Sequence, residues 1–144
     1  MKVNQITTTN PHYQTALTIR DVVLRKPLGL NIQDEDLSDE QNHIHFVALK
    51  DQEIVGTVTL IPHVKPAVGK LRQMATIESV RGQGFGKLLV RELEAFAQIN
   101  HMSSIRLHAR QYAVAFYKKL GYQVTSAPFT EVGIPHVIMQ KDLV

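Results

Sequence analysis

The chain has 144 residues, of which 44% are hydrophobic, and a formal net charge of +3. This is enough for one domain with a buried core. The absence of cysteine excludes a disulfide scaffold, a thiolate metal site and a cysteine nucleophile. No apolar run approaches the roughly 20 residues of a membrane span, and residues 1–9 lack the apolar core of a signal peptide. We therefore expect one cytoplasmic domain over residues 1–144, with no membrane partner.

The apolar periodicity along the chain predicts alternating strands and helices. Alternation of apolar and polar residues indicates strands, and apolar residues three and four apart indicate helices. The predicted elements are a strand over 2–9, a helix over 13–24, strands over 44–49, 53–61 and 70–77, a helix over 84–99, a strand over 104–109, a helix over 112–120, and strands over 122–125 and 136–140. Residues 62–69 are predicted to form a loop. Because this order combines a hairpin with βαβ units, we predict an α/β fold with a mixed sheet and helices on its faces.

An acidic run follows the first predicted helix. A solvated loop or short helix is the favoured interpretation, since charge runs are usually solvated. The alternative is a mouth that attracts a cationic substrate. The acids of this run are Asp34, Glu35, Asp36, Asp39 and Glu40.

A glycine-rich loop joins the strand over 70–77 to the helix over 84–99. Its sequence is Arg81-Gly82-Gln83-Gly84-Phe85-Gly86-Lys87. Glycines allow close approach of the backbone to a ligand, and the N–H groups at a helix start attract pyrophosphate. The spacing fits neither the P-loop nor the dinucleotide fingerprint. The eight basic and three acidic residues between Pro62 and Arg110 favour a polyphosphate ligand. The alternative is a flexible turn that binds nothing.

Two motifs at a characteristic separation carry a family resemblance. Residues 81–86 match the signature Gln/Arg-x-x-Gly-x-Gly/Ala, and residues 113–122 match Ala-x-x-Phe-Tyr-x-x-x-Gly-Phe/Tyr. The chain thus resembles a small bacterial-type member of the GNAT superfamily of N-acetyltransferases, over nearly its whole length. The resemblance implies the GNAT fold, a central mixed, mostly antiparallel twisted sheet of about seven strands flanked by helices.

The resemblance also implies acetyl-CoA as co-substrate and no metal. The pyrophosphate would lie on the amides of residues 83–87, where the Cβ of any other residue in place of glycine would collide with phosphate. The pantetheine arm would lie along residues 74–76. Arg81 either adds positive charge beside the pyrophosphate or serves as a structural brace at the loop entrance. Arg110 stands where the family often has Asn, so its contact with the cofactor is left open. The implied cofactor-binding residues are Met74, Ala75, Thr76, Arg81, Gly82, Gln83, Gly84, Phe85, Gly86, Lys87 and Arg110.

The resemblance makes Tyr117 the catalytic residue, which protonates the departing thiolate. Around the helix, Phe116 is in register with Tyr112 and is the better core candidate, which leaves Tyr117 free to point into the cleft. Because no cysteine exists to carry an acyl group, direct attack in a ternary complex is favoured. Glu78 replaces a proline common in the family and is either a general base or, more in keeping with its place, a surface loop residue.

The segment before the last strand is the candidate acceptor site. By resemblance the last hairpin borders that site, so Glu131 and His136 are candidates for binding or deprotonating an amine. A hydrogen-bonded turn is the alternative. His108 lies near the expected thioester. We expect a primary amine as acceptor, in a small molecule or a protein, and the acidic residues hint at a cationic one. A homodimer is common in similar proteins.

Two other classes of function compete with the enzyme. One is a non-catalytic module that binds and senses acetyl-CoA, against which the presence of Tyr117 argues. The other is a nucleic-acid-binding protein, suggested by the sequence pI of about 9.3. The chain lacks a recognition motif or a basic stripe interleaved with aromatic residues, so we expect no nucleic-acid partner.

Overall fold

The computed structural model describes residues 1–143, in which eight strands form one sheet. The strands are β1 (Lys2–Ile6), β2 (Ile44–Lys50), β3 (Glu53–Lys65), β4 (Val68–Thr76), β5 (Ser104–Arg110), β6 (Gln123–Val124), β7 (Phe129–Glu131) and β8 (Ile134–Asp142). Their spatial order is β1-β2-β3-β4-β5-β8-β6, and β7 also pairs with β8. Among these strands only β4 and β5 pair in parallel, so the predicted mixed, mostly antiparallel sheet is confirmed.

Three α-helices cover the two faces of the sheet: α1 (His12–Arg20), α2 (Phe85–Ile99) and α3 (Val114–Lys119). Phe46 and Ala48 of β2 belong to the core cluster that contains residues of α2 and α3, whereas Val47 packs with residues of α1. Because successive side chains of a strand point to opposite faces, α1 lies on one face and α2 and α3 on the other. None of these helices, which lie within residues 1–143, is long and apolar enough to cross a membrane.

Helix α2 is the best-anchored helix, as its sequence periodicity predicts. Phe85, Leu89 and Leu93 recur at every fourth position and are at most 2% exposed. Burying side chains of this size stabilises the fold by about 1.5–3 kcal/mol each. The start of α2, next to the glycine loop, is therefore held firmly against the sheet.

The predicted loop over residues 62–69 is wrong. Strand β3 continues to Lys65, and β4 begins at Val68 after a two-residue turn. Pro62 misled the prediction, because proline is normally excluded from central strands. Here the β3–β4 ladder is interrupted between Ile61 and Lys65, and β2 pairs no further along β3 than Leu60. Pro62 has no N–H, and it lies where neither the β2–β3 ladder nor the β3–β4 ladder requires a hydrogen-bond donor.

The prediction that Phe116, and not Tyr117, is the core residue of the third helix is also wrong. Tyr117 is 5% exposed and belongs to the core, whereas Phe116 is only partly buried and Tyr112 is 72% exposed. The α-helix begins only at Val114, after a 3₁₀ turn over residues 111–113. Because the turn changes the angular register, Tyr112 does not share a face with Phe116. The strand β7 was not predicted either.

A buried polar network joins α1 and the segment that follows it to the sheet. The Arg20 guanidinium, 1% exposed, donates to Glu40 Oε1 at 2.8 Å and to Thr59 Oγ1 at 2.7 Å. The Tyr13 hydroxyl also donates to Glu40 Oε1, at 2.8 Å. Burial alone would raise the pKa of Glu40, but the charge and hydrogen bond of Arg20, the hydrogen bond of Tyr13 and the charge of His45 together outweigh burial and hold that pKa below its usual range. Glu40 is thus an exception to the solvated acidic run.

Replacing Glu40 by glutamine tests this network. Glu40→Gln leaves Arg20 buried without a carboxylate, so we expect the free energy of unfolding to fall by about 3–5 kcal/mol, measured by urea denaturation at neutral pH. Because folding lowers the pKa of Glu40, the stability that this carboxylate contributes is complete above its ordinary pKa of 4.5 and is lost as the pH falls below it. The difference from wild type should therefore shrink in acid. Glu53→Gln, at an exposed position, is the control, and equal losses in both variants would contradict the assignment.

Candidate active site

A cleft opens where β4 and β5 separate. The two strands pair in parallel only from Val68 and Ser104 to Leu71 and Leu107. Beyond Leu71, β4 pairs with β3 alone, while β5 continues to Arg110 in register with β8. One edge of β4 is therefore without a strand partner over residues 72–76, and a free strand edge is a ready template for an extended ligand.

A bulge in β4 lies at the point of separation. Thr57 pairs with Ala75 and Thr59 with Arg72, so β4 holds one more residue than β3 across this interval. Gln73 lies there with φ 59°, in the left-handed region that non-glycine residues seldom adopt. Its side-chain oxygen accepts a hydrogen bond from the Arg25 guanidinium at 2.9 Å. Since a bulge bends its strand, this feature turns the free end of β4 away from β5.

The glycine loop presents free backbone N–H groups at the start of α2. Gly82 and Gly84 have φ 82° and 92°, a conformation that glycine alone adopts without strain. Among the residues that the structure describes, no side chain caps the helix and no backbone carbonyl accepts from the amides of residues 84–87. These are the N–H groups that a helix leaves without internal acceptors, so the loop can hold an anion. At Gly86, a Cβ would lie 3.2 Å from Phe116 Cζ, so a larger residue there would be tightly packed against this ring.

The structure brings nearly all the predicted site residues to one cleft of about 1640 Å³. Gln83 is the exception, because its side chain bonds with Lys50 and with the carbonyl of Ser79, and its amide donates to the carbonyl of Val80. The predicted residues that line the cleft are Met74, Ala75, Thr76, Arg81, Gly82, Gly84, Phe85, Gly86, Lys87, Arg110, Tyr117, Glu131 and His136.

Tyr117 combines a buried ring with an unpaired hydroxyl. Its ring packs edge-on against Phe116 and Tyr122, with centroids 5.0 and 5.7 Å away. Within residues 1–143 no protein group forms a hydrogen bond with its hydroxyl. Burial raises the pKa of Tyr117, as does the neighbouring hydroxyl of Tyr112. The phenol is therefore protonated at neutral pH and has its proton available on the wall of the cleft.

Two arginines of the cleft make backbone contacts. Arg110 donates a hydrogen bond to the carbonyl of Leu24 at 2.9 Å and so connects β5 to the chain that follows α1. Arg81 reaches the carbonyl of Thr76 at 3.4 Å, a long bond that is compatible with either of its predicted roles. Glu78 is exposed on a 3₁₀ turn and lines the cleft. Arg110 thus has a structural contact that the sequence did not indicate.

A carboxylate lies between two imidazoles on the other side of the cleft. Glu131 Oε1 is 2.9 Å from His108 Nδ1, and Glu131 Oε2 is 3.6 Å from His136 Nε2. Burial alone would raise the pKa of Glu131, but the hydrogen bond from His108 and the charges of His108, His136 and Lys70 outweigh burial and lower it. An ionised carboxylate only accepts, so His108 Nδ1 carries the hydrogen, which in the neutral ring leaves the lone pair on Nε2.

His108 is the residue that sequence reasoning did not include among the site residues. It lies on β5, whereas its partner lies 23 positions away, on β7. The alternation of β5 was the signal that could have identified it, since His108 and Arg110 must share a face. No group of three or more histidine and acidic side chains within the described residues is placed to hold a metal ion.

Comparison with known proteins shows the family. A family model described as an acetyltransferase (GNAT) domain matches residues 26–143. A relative from Bacillus subtilis (strain 168) that is named as an acetyltransferase is 35% identical over 146 residues, which cover 98% of this chain and 96% of the relative. The chain therefore belongs to the GNAT family of acetyltransferases, and it is an N-acyltransferase.

Solved structures share the fold. The crystal structure of a protein from Lactobacillus plantarum, named as an N-acetyltransferase, superposes with a TM-score of 0.84 at 26% identity and covers 100% of both chains. An aminoglycoside 6'-N-acetyltransferase complexed with coenzyme A superposes with a TM-score of 0.80 at 20% identity, over 100% of this chain and 98% of that one. At this low identity the second match shows the fold alone.

Proposed function

We propose that the protein transfers an acetyl group from acetyl-CoA directly to a primary amine, with both substrates bound in one cleft. The observation that carries this proposal is the convergence of a free strand edge, uncapped helix amides and an unpaired tyrosine hydroxyl where β4 and β5 separate. The cleft, at about 1640 Å³, exceeds the roughly 300–1,000 Å³ of an ordinary small-molecule site. It therefore has room for a ternary complex.

The cofactor side of the cleft fits acetyl-CoA, which supplies the acyl thioester. The free N–H groups of residues 84–87 suit its pyrophosphate, and Lys87 and Arg81 add positive charge beside them. The unpaired edge of β4 over residues 74–76 suits the amides of the pantetheine arm, which would add to the sheet as a further strand. These residues bind and orient, and they do not take part in proton transfer.

The two proton-transfer groups lie on different elements of the cleft. The amine nitrogen bonds to the thioester carbon, the carbon–sulfur bond breaks, and Tyr117 donates its hydroxyl proton to the departing sulfur. His108 Nε2 accepts a proton from the amine, and the Glu131 carboxylate stabilises the imidazolium that forms. His136 holds the second oxygen of Glu131. A module that only senses acetyl-CoA needs neither of these groups, so we do not favour it.

Three further expectations from the sequence stay predictions. The eight strands belong to one sheet, which supports the proposal that the chain acts as one catalytic domain. The other two expectations, a cytoplasmic location and a homodimer, are proposed on the sequence alone.

The glycine loop can be tested with a matched pair of glycine substitutions. Gly84→Ala forces alanine into a left-handed conformation and places a methyl group in the open space of the loop, so acetyl-CoA affinity should fall at least tenfold by calorimetry. Gly133→Ala meets the same conformational penalty, about 1–2 kcal/mol, in the β7–β8 turn. It should lose similar stability and keep its acetyl-CoA affinity. Equal affinity in both variants would contradict the loop assignment.

Removing the hydroxyl of Tyr117 tests the proton donor. Tyr117→Phe keeps the packed ring, so the melting temperature and acetyl-CoA affinity should hardly change. General acid catalysis typically contributes about 10²–10⁴-fold, and we expect kcat to fall by that factor or somewhat less. An activated thioester with a more acidic thiol should partly restore the rate. Wild-type kcat in Tyr117→Phe would exclude the assigned role.

Neutralising Glu131 tests the acceptor side. Glu131→Gln removes the charge that stabilises protonated His108, so kcat/KM for the amine should fall roughly tenfold or more, which is less than the 10²–10⁴-fold of a general base itself. Acetyl-CoA affinity should stay unchanged by calorimetry. Glu78→Gln is the comparison, because Glu78 is the other acid considered as base. A larger loss of kcat/KM in Glu78→Gln than in Glu131→Gln would assign the general base to Glu78.

A further inference from the structure

Three cations lie together on the sheet face that carries the His108–Glu131 pair. Lys70 and Arg72 are two positions apart on β4, before the bulge, and Arg106 is the register partner of Lys70 on β5. His108 follows Arg106 by two positions on the same strand. Because side chains two apart share a face of a strand, the cluster made by Lys70, Arg72 and Arg106 is continuous with the proposed proton acceptor.

These cations have no carboxylate partner. Within residues 1–143 no ion pair or side-chain hydrogen bond involves any of the three, and the Nε of Arg106 is buried without an acceptor. Arg20 and Lys141, by contrast, are each paired with a glutamate. Burial first, and then the charges of Arg72 and Arg106, lower the pKa of Lys70. Glu131 opposes this shift but is already shared between two histidines.

A bound anion would remove this imbalance. Lys70 and Arg72 line the same cleft as His108, Glu131 and Tyr117. A guanidinium offers two parallel N–H donors to a carboxylate or a phosphate, and such charge-assisted bonds are the strong ones. An anion held there would lie beside the groups to which we assign the deprotonation of the amine.

The acidic run over residues 34–40 does not make the cleft favour a cationic acceptor. Glu40 is buried against Arg20, and Glu35 is paired with Arg25. Of this run only Asp34 and Glu35 line the cleft. A polycationic acceptor would thus meet one unpaired acid of the run and two unpaired cations of β4.

We propose that the acceptor is a primary amine that also carries an anionic group, a carboxylate or a phosphate, and that Lys70 and Arg72 bind this group while the amine faces His108. The inference rests on the proposed N-acetyltransferase function and names its substrate class. In the acetyl transfer itself the anionic group is unchanged, and the cations act on acceptor binding.

The experiment compares matched amines on the purified chain with acetyl-CoA, by release of the CoA thiol. Phenylalanine against phenethylamine and lysine against cadaverine test the carboxylate, and O-phosphoethanolamine against ethanolamine tests the phosphate. One charge-assisted hydrogen bond corresponds to roughly a 10- to 100-fold difference. We expect kcat/KM to be higher by that factor for the acidic member of at least one pair, and the pair that responds identifies the anion.

Charge variants then assign the preference to the cluster. Arg72 is exposed and unpaired, so Arg72→Gln should keep the melting temperature and reduce the ratio of kcat/KM between acidic and neutral amines roughly tenfold or more. Arg72→Glu should reverse the ratio. Arg91→Gln, at an exposed arginine on α2 outside the cleft, is the control and should keep the wild-type ratio.

The failure of this inference can be told apart from the failure of the proposed function. If no acidic amine reacts faster than its neutral match, or if Arg72→Glu keeps the wild-type ratio, the inference is overturned, while acetyl-CoA binding and turnover of a neutral amine still support N-acetyl transfer. If calorimetry shows no acetyl-CoA binding and no amine is acetylated, the proposed function is overturned, and the inference with it.

Discussion

The separation of β4 from β5 is the constraint on which the rest of the cleft depends. Two parallel strands normally keep pairing until one of them ends, and here both continue after the ladder stops at Leu71 and Leu107. The extra residue near Gln73 is a bulge, which bends a strand, whereas β5 stays paired with β8 as far as Arg110. Backbone groups of β4 are thereby left without partners inside a cleft, and a ligand with amides of its own can satisfy them.

The glycine loop works as a rigid cradle because the core holds both its ends. Val80 before the glycines is 4% exposed and Phe85 after them is 2% exposed. The chain between them can therefore adopt positive φ at Gly82 and Gly84 without freedom to move far. Rigidity matters here, because free N–H groups bind an anion strongly only when they are already oriented toward it. The same buried anchors that stabilise α2 thus hold in place the loop for which we propose a cofactor-binding role.

The predictable part of the site was the part written locally in the chain. Glycine spacing and the periodicity of α2 report conformation directly, so the loop and its helix were found at nearly their observed bounds. The bulge at Gln73 and the turn at Val132 were not predicted. Both place a non-glycine residue at positive φ, a conformation that only tertiary contacts impose. The burial of the Tyr117 ring was missed because it depends on where α3 begins. The pairing of His108 with Glu131 joins two strands that the sequence does not place side by side.

The environments of Tyr117 and Glu131 support the two proton-transfer roles that we propose for the cleft. Burial among aromatic rings raises the pKa of Tyr117, so this group keeps its proton until a strongly basic atom such as a thiolate develops beside it. Histidine and lysine charges lower the pKa of Glu131, so this group stays ionised and supports a cationic imidazole. Tyr117 is thus suited to donate a proton, and Glu131 is suited to stabilise the protonated form of His108, without any change of shape. The charge of Lys70 helps to keep Glu131 ionised. Lys70 is itself left without an ion-pair partner among the described residues, so it can also bind an anion.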